Sequence, residues 1–280
     1  MSAVFRRCAP PCSWGENQKF YCHGNEATHL AAMFIGGLGV SAYPWRYAAD
    51  ALQGRGWHVK AISLAGHNGE FEPFARASET DWLIEAETEL KQWWQYHKQQ
   101  PVLIGGFSAG ASVAMWLAAK YPAMVRAVLA VGYCPFLTTA RRRLWLLRKA
   151  AARSSWLRSW LETHSVRVKG STQLALNTAD YERQPRIGRY PYSALCALVG
   201  LLDMVAKVIH NVSVPIHFRH GRFDERTDVR HVEKVSGDCI GRGQTCTLLV
   251  YDNSPHCVPL GPERDRFAAD VSELARALES

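Results

Sequence analysis

The sequence predicts an α/β fold: a mostly parallel central sheet with helices on both faces and one helical insertion. Three observations carry that expectation. Short apolar runs bounded by turn residues recur along the chain, as fully buried strands do. Stretches with helical spacing separate them. One long segment, Pro135 to about Asn211, breaks the alternation and reads as helices and loops alone.

The elements follow in order. A strand at Leu30–Ile35 runs into the glycine-rich Gly36–Gly39, and a helix at Tyr43–Leu52 stops at Gly54. A strand at Trp57–Ser63 precedes a helix at Thr80–His97, where Trp82, Ile84 and Leu90 are apolar and glutamates lie between them. The run Val102–Gly106, between Pro101 and a glycine-rich turn, is the clearest strand, and Ala109–Tyr121 the helix after it. A strand at Val125–Val131 leads into the insertion. Beyond it come a strand at Pro215–Phe218, a helix at Val229–Val235, a strand at Thr247–Tyr251 and a last helix at Glu263–Leu278. Residues 1–133 and 212–280 thus form the core. Residues 134–211 form a helical cap over the carboxyl ends of the strands, expected to select the substrate while leaving small-ester turnover little changed.

Composition narrows the class. A chain of 280 residues, 48% hydrophobic and 21% charged, can bury one large core and a modest lobe. The net charge of +8 is largely local: Arg141, Arg142, Arg143, Arg148, Lys149, Arg153 and Arg158 share one stretch without an acid. Interleaved with Leu144, Trp145, Leu146, Leu147, Trp156 and Trp160, that stretch suits peripheral membrane contact. A solvated basic face with inward tryptophans is the plainer reading. No recognised motif supports nucleic acid as a partner. Met1 to Cys22 carries Arg6, Arg7, two prolines and Glu16 but no apolar core of a signal peptide, so a cytoplasmic protein is expected. Tyr192 to Ile209, interrupted by Asp203 and Lys207, reads as too short and polar to span a bilayer. The scattered cysteines read as free thiols. Cys8, Cys12, Cys22 and His23 have poor spacing for zinc, and no metal or cofactor is expected.

The sharpest motif is Gly106-Phe107-Ser108-Ala109-Gly110, a G-x-S-x-G between strand and helix. A serine on so tight a turn needs small neighbours, because side chains at Gly106 and Gly110 would collide with it. A serine hydroxyl also needs a base, itself oriented by a third group. The strand at Pro215–Phe218 runs into His220-Gly221-Arg222-Phe223-Asp224, and that at Thr247–Tyr251 into Asn253-Ser254-Pro255-His256. Ser108, Asp224 and His256 are therefore the candidate nucleophile, acid and base, each beyond the carboxyl end of its own strand. Asp228 is a competing acid. Leu38, in the glycine-rich loop, and Ala109 are the candidate oxyanion donors. Gly36, Gly37 and Gly39 do not make a dinucleotide-binding G-x-G-x-x-G. Gly37 and Phe107, beside donor and nucleophile, and the insertion's Leu195 and Leu198 are expected to touch substrate.

These segments, with Leu64-Ala65-Gly66-His67-Asn68-Gly69 and Val258–Arg266, resemble the α/β-hydrolase superfamily, and within it bacterial carboxylesterases and monoacylglycerol lipases. The resemblance covers about residues 28–133 and 212–279. Gly36-Gly37 stands where the family commonly has His-Gly. The resemblance implies a metal-independent acyl-enzyme mechanism on a small ester, including lipid esters. A thioesterase, acyltransferase or carbon–carbon bond hydrolase would use the same residues, and a non-catalytic receptor the same fold.

Overall fold

A computed structural model describes residues 13–14, 19–25, 28–135, 141–167 and 187–279. The strands in chain order are β1 (Ser13–Trp14), β2 (Phe20–Cys22), β3 (Ala31–Ile35), β4 (His58–Ile62), β5 (Val102–Phe107), β6 (Val125–Val131), β7 (Ser165–Arg167), β8 (Arg189–Pro191), β9 (Ile216–Gly221) and β10 (Cys246–Tyr251). The helices are α1 (Arg46–Gln53), α2 (Phe71–Arg76), α3 (Glu79–Tyr96), α4 (Ala109–Lys120), α5 (Arg141–Ala151), α6 (Ser155–Thr163), α7 (Tyr192–Val208), α8 (Val229–Gly241) and α9 (Arg264–Leu278).

Eight strands form one sheet in the order β1-β2-β4-β3-β5-β6-β9-β10. From β4 to β10 every pairing is parallel, while β1 and β2 add an antiparallel edge. Every residue of β3, β4 and β5 is buried, as expected of strands covered on both faces. Alternate side chains feed two apolar cores. Met33, Ile35 and Ile104 join Trp82 of α3 and Met115 of α4 on one face. Phe34 and Leu103 join Trp45, Trp57 and Phe267 of α9 on the other. The one cation buried in β4, Lys60, pairs with Glu89 of α3, which also takes Lys19 at 2.6 Å.

This order puts β4 on one side of β3 and β5 on the other, so the direction of strand addition reverses beside β3. Ligands of open α/β sheets bind outside the carboxyl ends of strands at such a reversal. The loops after β3 and β5 are therefore the place to look for chemistry.

Several expectations need correction. The segment from Pro135 to Asn211 is not helices and loops alone, because β7 and β8 pair antiparallel, with Val166 opposite Tyr190. They are three residues each, too short for an alternation to be legible. Neither α2 nor the β1–β2 hairpin was anticipated. Helix α8 runs past Val235 to Gly241, because its later buried positions, Ser236 and Cys239, do not read as apolar. The stretch Tyr192–Asn211 is long and apolar enough to cross a membrane, contrary to expectation, yet half of it is buried in the molecule, with α7 packed on α4. Cys22 is disulfide-bonded, so the free-thiol reading stands for Cys134, Cys196, Cys239, Cys246 and Cys257 and fails for Cys22. Spacing in sequence cannot show which β carbons approach within bonding reach. Cys8 and Cys12 lie outside the described residues.

His67, 1% exposed in the loop after β4, meets Phe74 and Trp82 edge-on and shares a 2.9 Å hydrogen bond from Nδ1 to the Ala65 carbonyl. Burial pushes its imidazole down to about 4. Burial does the same to His97 and His217. The unfolded chain therefore binds protons first as pH falls, so stability present above about 6.5 drains away toward 4. Melting temperature should fall across that window, and the slope should be shallower in His67→Gln; an unchanged slope would remove His67 from this account.

Candidate active site

Strand β5 ends at Phe107, and Ser108 turns the chain into α4 with φ 54° and ψ −117°. Positive φ is costly for a residue with a Cβ, by about 1–3 kcal/mol, so the surroundings must enforce it. They do so by close packing. A Cβ at Gly106 would lie 2.2 Å from the Gly110 carbonyl oxygen, and one at Gly110 would lie 2.4 Å from that of Gly36. Ser108 N–H donates to the Val131 carbonyl at 2.8 Å, tying the turn to β6. Ser108 is half-buried, while Phe107 and Ala109 are buried. As the first residue of α4, Ala109 has an N–H with no intrahelical acceptor.

The loop after β3 lies against this turn. Gly36 N–H donates to Ile62 O at 2.9 Å, the last rung toward β4. At Gly37 the backbone passes so near that a Cβ would be 3.1 Å from Phe107 O and 3.2 Å from Ser108 Cβ. Val40 N–H then donates to Gly37 O at 3.3 Å, closing a turn around Leu38.

Asp224 follows β9 and His256 follows β10. The two loops are bound together, Arg222 N–H to Tyr251 O at 2.9 Å and Phe223 N–H to Ser254 O at 3.0 Å. His256 Nδ1 lies 2.7 Å from Asp224 Oδ2. That carboxylate is fully buried and accepts Arg226 N–H at 2.7 Å and Thr227 N–H at 2.9 Å on its other oxygen. Burial alone would raise the Asp224 carboxyl, but the charge and hydrogen bond of His256, with His220 and the Thr227 N–H, hold it below the ordinary carboxylate range. Ionised, it fixes the proton on Nδ1 and leaves Nε2 as the basic nitrogen. The imidazole sits beside the turn, its ring 5.1 Å from that of Phe107, and a Cβ at Gly132 would be 3.1 Å from Cε1. Gly132 follows the Val131 that binds Ser108 N–H. Strands β5, β6, β9 and β10 thus deliver Ser108, Asp224 and His256 to one end of the sheet.

Asp228 is elsewhere: it caps α8, accepting Arg230 N–H at 3.0 Å. Leu195 and Leu198 lie half-buried on α7 against the main apolar core. Two cavities, about 420 and 440 Å³, open among α5, α6, α7 and the α2–α3 turn, and neither is lined by Ser108, Asp224 or His256. Sequence reasoning gave no role to His220 and Glu263. His220 is fully buried with Nε2 3.1 Å from Asp224 Oδ2 and 2.9 Å from Thr227 O, and burial lowers its pKa. Glu263 accepts Asn253 N–H at 2.8 Å and the Ser254 hydroxyl at 2.9 Å, holding the loop before His256. The signal for His220 was its place in His-Gly-x-x-Asp; Glu263 gave none. Burial pushes the Cys257 thiol up to about 12, so it stays neutral beside His256.

A family described as serine aminopeptidase, S33, matches residues 28–263, and the chain belongs to it. No curated protein sequence matches. Among solved structures, a carboxyl esterase from Bacillus coagulans superposes with a TM-score of 0.74 at 14% identity, covering 95% of this chain and 96% of its own. A soluble variant of the Saccharomyces cerevisiae monoglyceride lipase gives 0.73 at 13%, covering 99% and 98%. The Paleococcus ferrophilus monoacylglycerol lipase gives 0.72 at 14%, covering 93% and 98%. Such likeness shows the α/β-hydrolase fold.

The contrast between the two aspartates is measurable. Asp224→Asn should lower kcat by roughly 10³–10⁴-fold, through loss of the imidazole tautomer, while Asp228→Asn stays within a few-fold of wild type. A larger loss in Asp228→Asn would reverse the assignment.

Proposed function

From its membership of this hydrolase family, and from the Asp224–His256 hydrogen bond set beside the turn at Ser108, we propose that the chain cleaves carboxylic esters through an acyl-enzyme. Ser108 Oγ attacks the acyl carbonyl and passes its proton to His256 Nε2, while the charge on Asp224 stabilises the imidazolium. The carbonyl oxygen becomes an oxyanion received by the N–H groups of Leu38 and Ala109, each worth about 2.7–4 kcal/mol in the transition state. His256 then protonates the leaving alcohol and later deprotonates the water that frees Ser108. No step calls on a metal or cofactor.

Residues 134–211 are proposed as the cap, with Gly37 and Phe107 touching the acyl group and the half-buried Leu195 and Leu198 as its apolar wall. The family's description favours an amide as the second substrate class. Matched acetyl oxygen ester, thioester and aminoacyl anilide substrates separate these readings, with the oxygen ester expected to turn over fastest.

Peripheral contact with anionic membrane is proposed for α5 and α6. Supporting it, Trp156 is 73% and Leu146 60% exposed, next to exposed Arg142, Arg143, Lys149, Arg153 and Arg158. Basic residues near such a surface contribute about 1 kcal/mol each. Cytoplasmic location is likewise proposed; the disulfide at Cys22 is the observation that weighs against it, since reducing compartments seldom keep one.

A fluorophosphonate probe should label Ser108, shown by peptide mapping, and Ser108→Ala should abolish labelling and lower kcat by on the order of 10⁶. Labelling elsewhere with Ser108→Ala active would sink the proposal. In sedimentation with phosphatidylserine vesicles, binding should be strong in low salt, weak at 0.5 M, and reduced in Trp156→Ala. Binding that ignores salt and Trp156 would leave the plain solvated face.

A further inference from the structure

We infer that Tyr190, in the return strand of the insertion, is a positioning residue for the oxyanion loop after β3. The inference rests on the ester-cleaving reading and adds a residue to its machinery.

The loop after β3 leaves the ladders of the central sheet beyond Ile35. Two of the loop's carbonyls are taken by one short segment of the insertion. Tyr190 Oη donates to Leu38 O at 2.7 Å, and Ile187 N–H donates to Gly39 O at 2.9 Å. The tyrosine lies 152 positions along the chain from Leu38, so sequence-local forces do not make this contact.

Peptide planarity shows what the contact does. In a trans peptide the N–H points opposite to the preceding C=O. The Gly37 carbonyl is engaged by Val40 N–H, so the Leu38 N–H points away from that turn. The next peptide plane is held through Leu38 O by Tyr190. With the planes on both sides of Leu38 fixed, its φ and ψ are fixed, and so is the aim of its N–H. Tyr190 supplies one of those two restraints.

The hydroxyl is itself well supported. Gly39 has φ +68°, and a Cβ there would be 2.6 Å from Tyr190 Cε1, so the ring lies flush on the loop backbone. The ring meets the fully buried Phe74 edge-on at 5.7 Å. Tyr190 also sits two residues before α7, which packs on α4, the helix whose first N–H is the second proposed donor. One segment is thus tied to the loop of the first proposed donor and runs into a helix packed on the helix that carries the second. An insertion built this way would do more than select the acyl chain, whereas the sequence-based expectation is that replacing its apolar residues changes small-ester turnover little.

The test compares Tyr190→Phe with Tyr190→Leu on p-nitrophenyl acetate, with melting temperatures recorded. Loss of a whole oxyanion donor costs about 10²–10³ in kcat, so a misaimed one should cost roughly 10-fold. Tyr190→Phe should lose about that much kcat with KM within two-fold, and Tyr190→Leu should lose little more. Affinity for a trifluoromethyl ketone, whose adduct with Ser108 carries the oxyanion, should drop by the same factor. Fluorophosphonate should still label every molecule. Wild-type kcat in Tyr190→Phe overturns the inference, as does a kcat loss without loss of ketone affinity. A Tyr190→Phe that melts far lower, with ketone affinity per labelled molecule intact, makes the residue structural only and overturns it too. Ser108→Ala is run alongside: if it keeps turnover, the ester-cleaving reading and this inference fall together, whereas its inactivity beside a fully active Tyr190→Phe removes this inference alone.

Discussion

The backbone of Ser108 is the constraint on which the rest of the site depends. A serine with φ 54° and ψ −117° is a high-energy residue, kept only because the strand before it and the helix after it leave no alternative path. The clearances are absolute: Gly106 faces the Gly110 carbonyl and Gly110 faces the Gly36 carbonyl at distances that exclude any Cβ. The second of these contacts is between β5's turn and β3's loop. The same packing that strains the serine therefore also brings the loop after β3, the proposed oxyanion loop, to it. A larger residue at Gly110 would not merely relax the turn; it would push the two halves of the site apart.

Electrostatics are settled one layer further out. A buried carboxylate is expensive unless its lone pairs are occupied. Asp224 meets that condition with two backbone N–H groups on one oxygen and two imidazole nitrogens near the other. His220 reads as part of this arrangement. Its Nε2 lies within reach of both Asp224 and the Thr227 carbonyl, and its Nδ1 is buried without a partner among the described residues. Burial favours its neutral form, whose Nε2–H donates to the Thr227 carbonyl, so it lies against Asp224 without adding a charge that would compete with His256.

Much of this was legible in the sequence because it follows from local chemistry. Buried parallel strands announce themselves as apolar runs, and the observed β6 coincides with the expected Val125–Val131. The candidate triad was legible for a similar reason: each member sits just past a readable strand, and a parallel sheet collects such positions at one edge. What escaped lacked a local signature. The β7–β8 pair is three rungs deep, Glu263 is an acid like any other until its loop is placed, and the Cys22 bond depends on tertiary approach. Leu195 and Leu198 were chosen because α7 is apolar, and they lie half-buried on a helix that packs on both α4 and α5.

The insertion changes the view of how selection and chemistry are divided. Its return segment donates to two consecutive carbonyls of the loop that carries Leu38, and the helix that follows packs on α4. Motion of this segment would be felt at the proposed oxyanion loop before it reached the proposed acyl wall, because a hydrogen bond of 2.7 Å weakens steeply with displacement while apolar contacts slide. The loop is also built to yield: Gly36, Gly37 and Gly39 lack the side chains that would hold it from within. A glycine-rich loop is what permits close approach to Ser108, and it is also what requires an outside brace. Close approach and external support are thus two consequences of the same sequence choice, and Tyr190 is where the second is met.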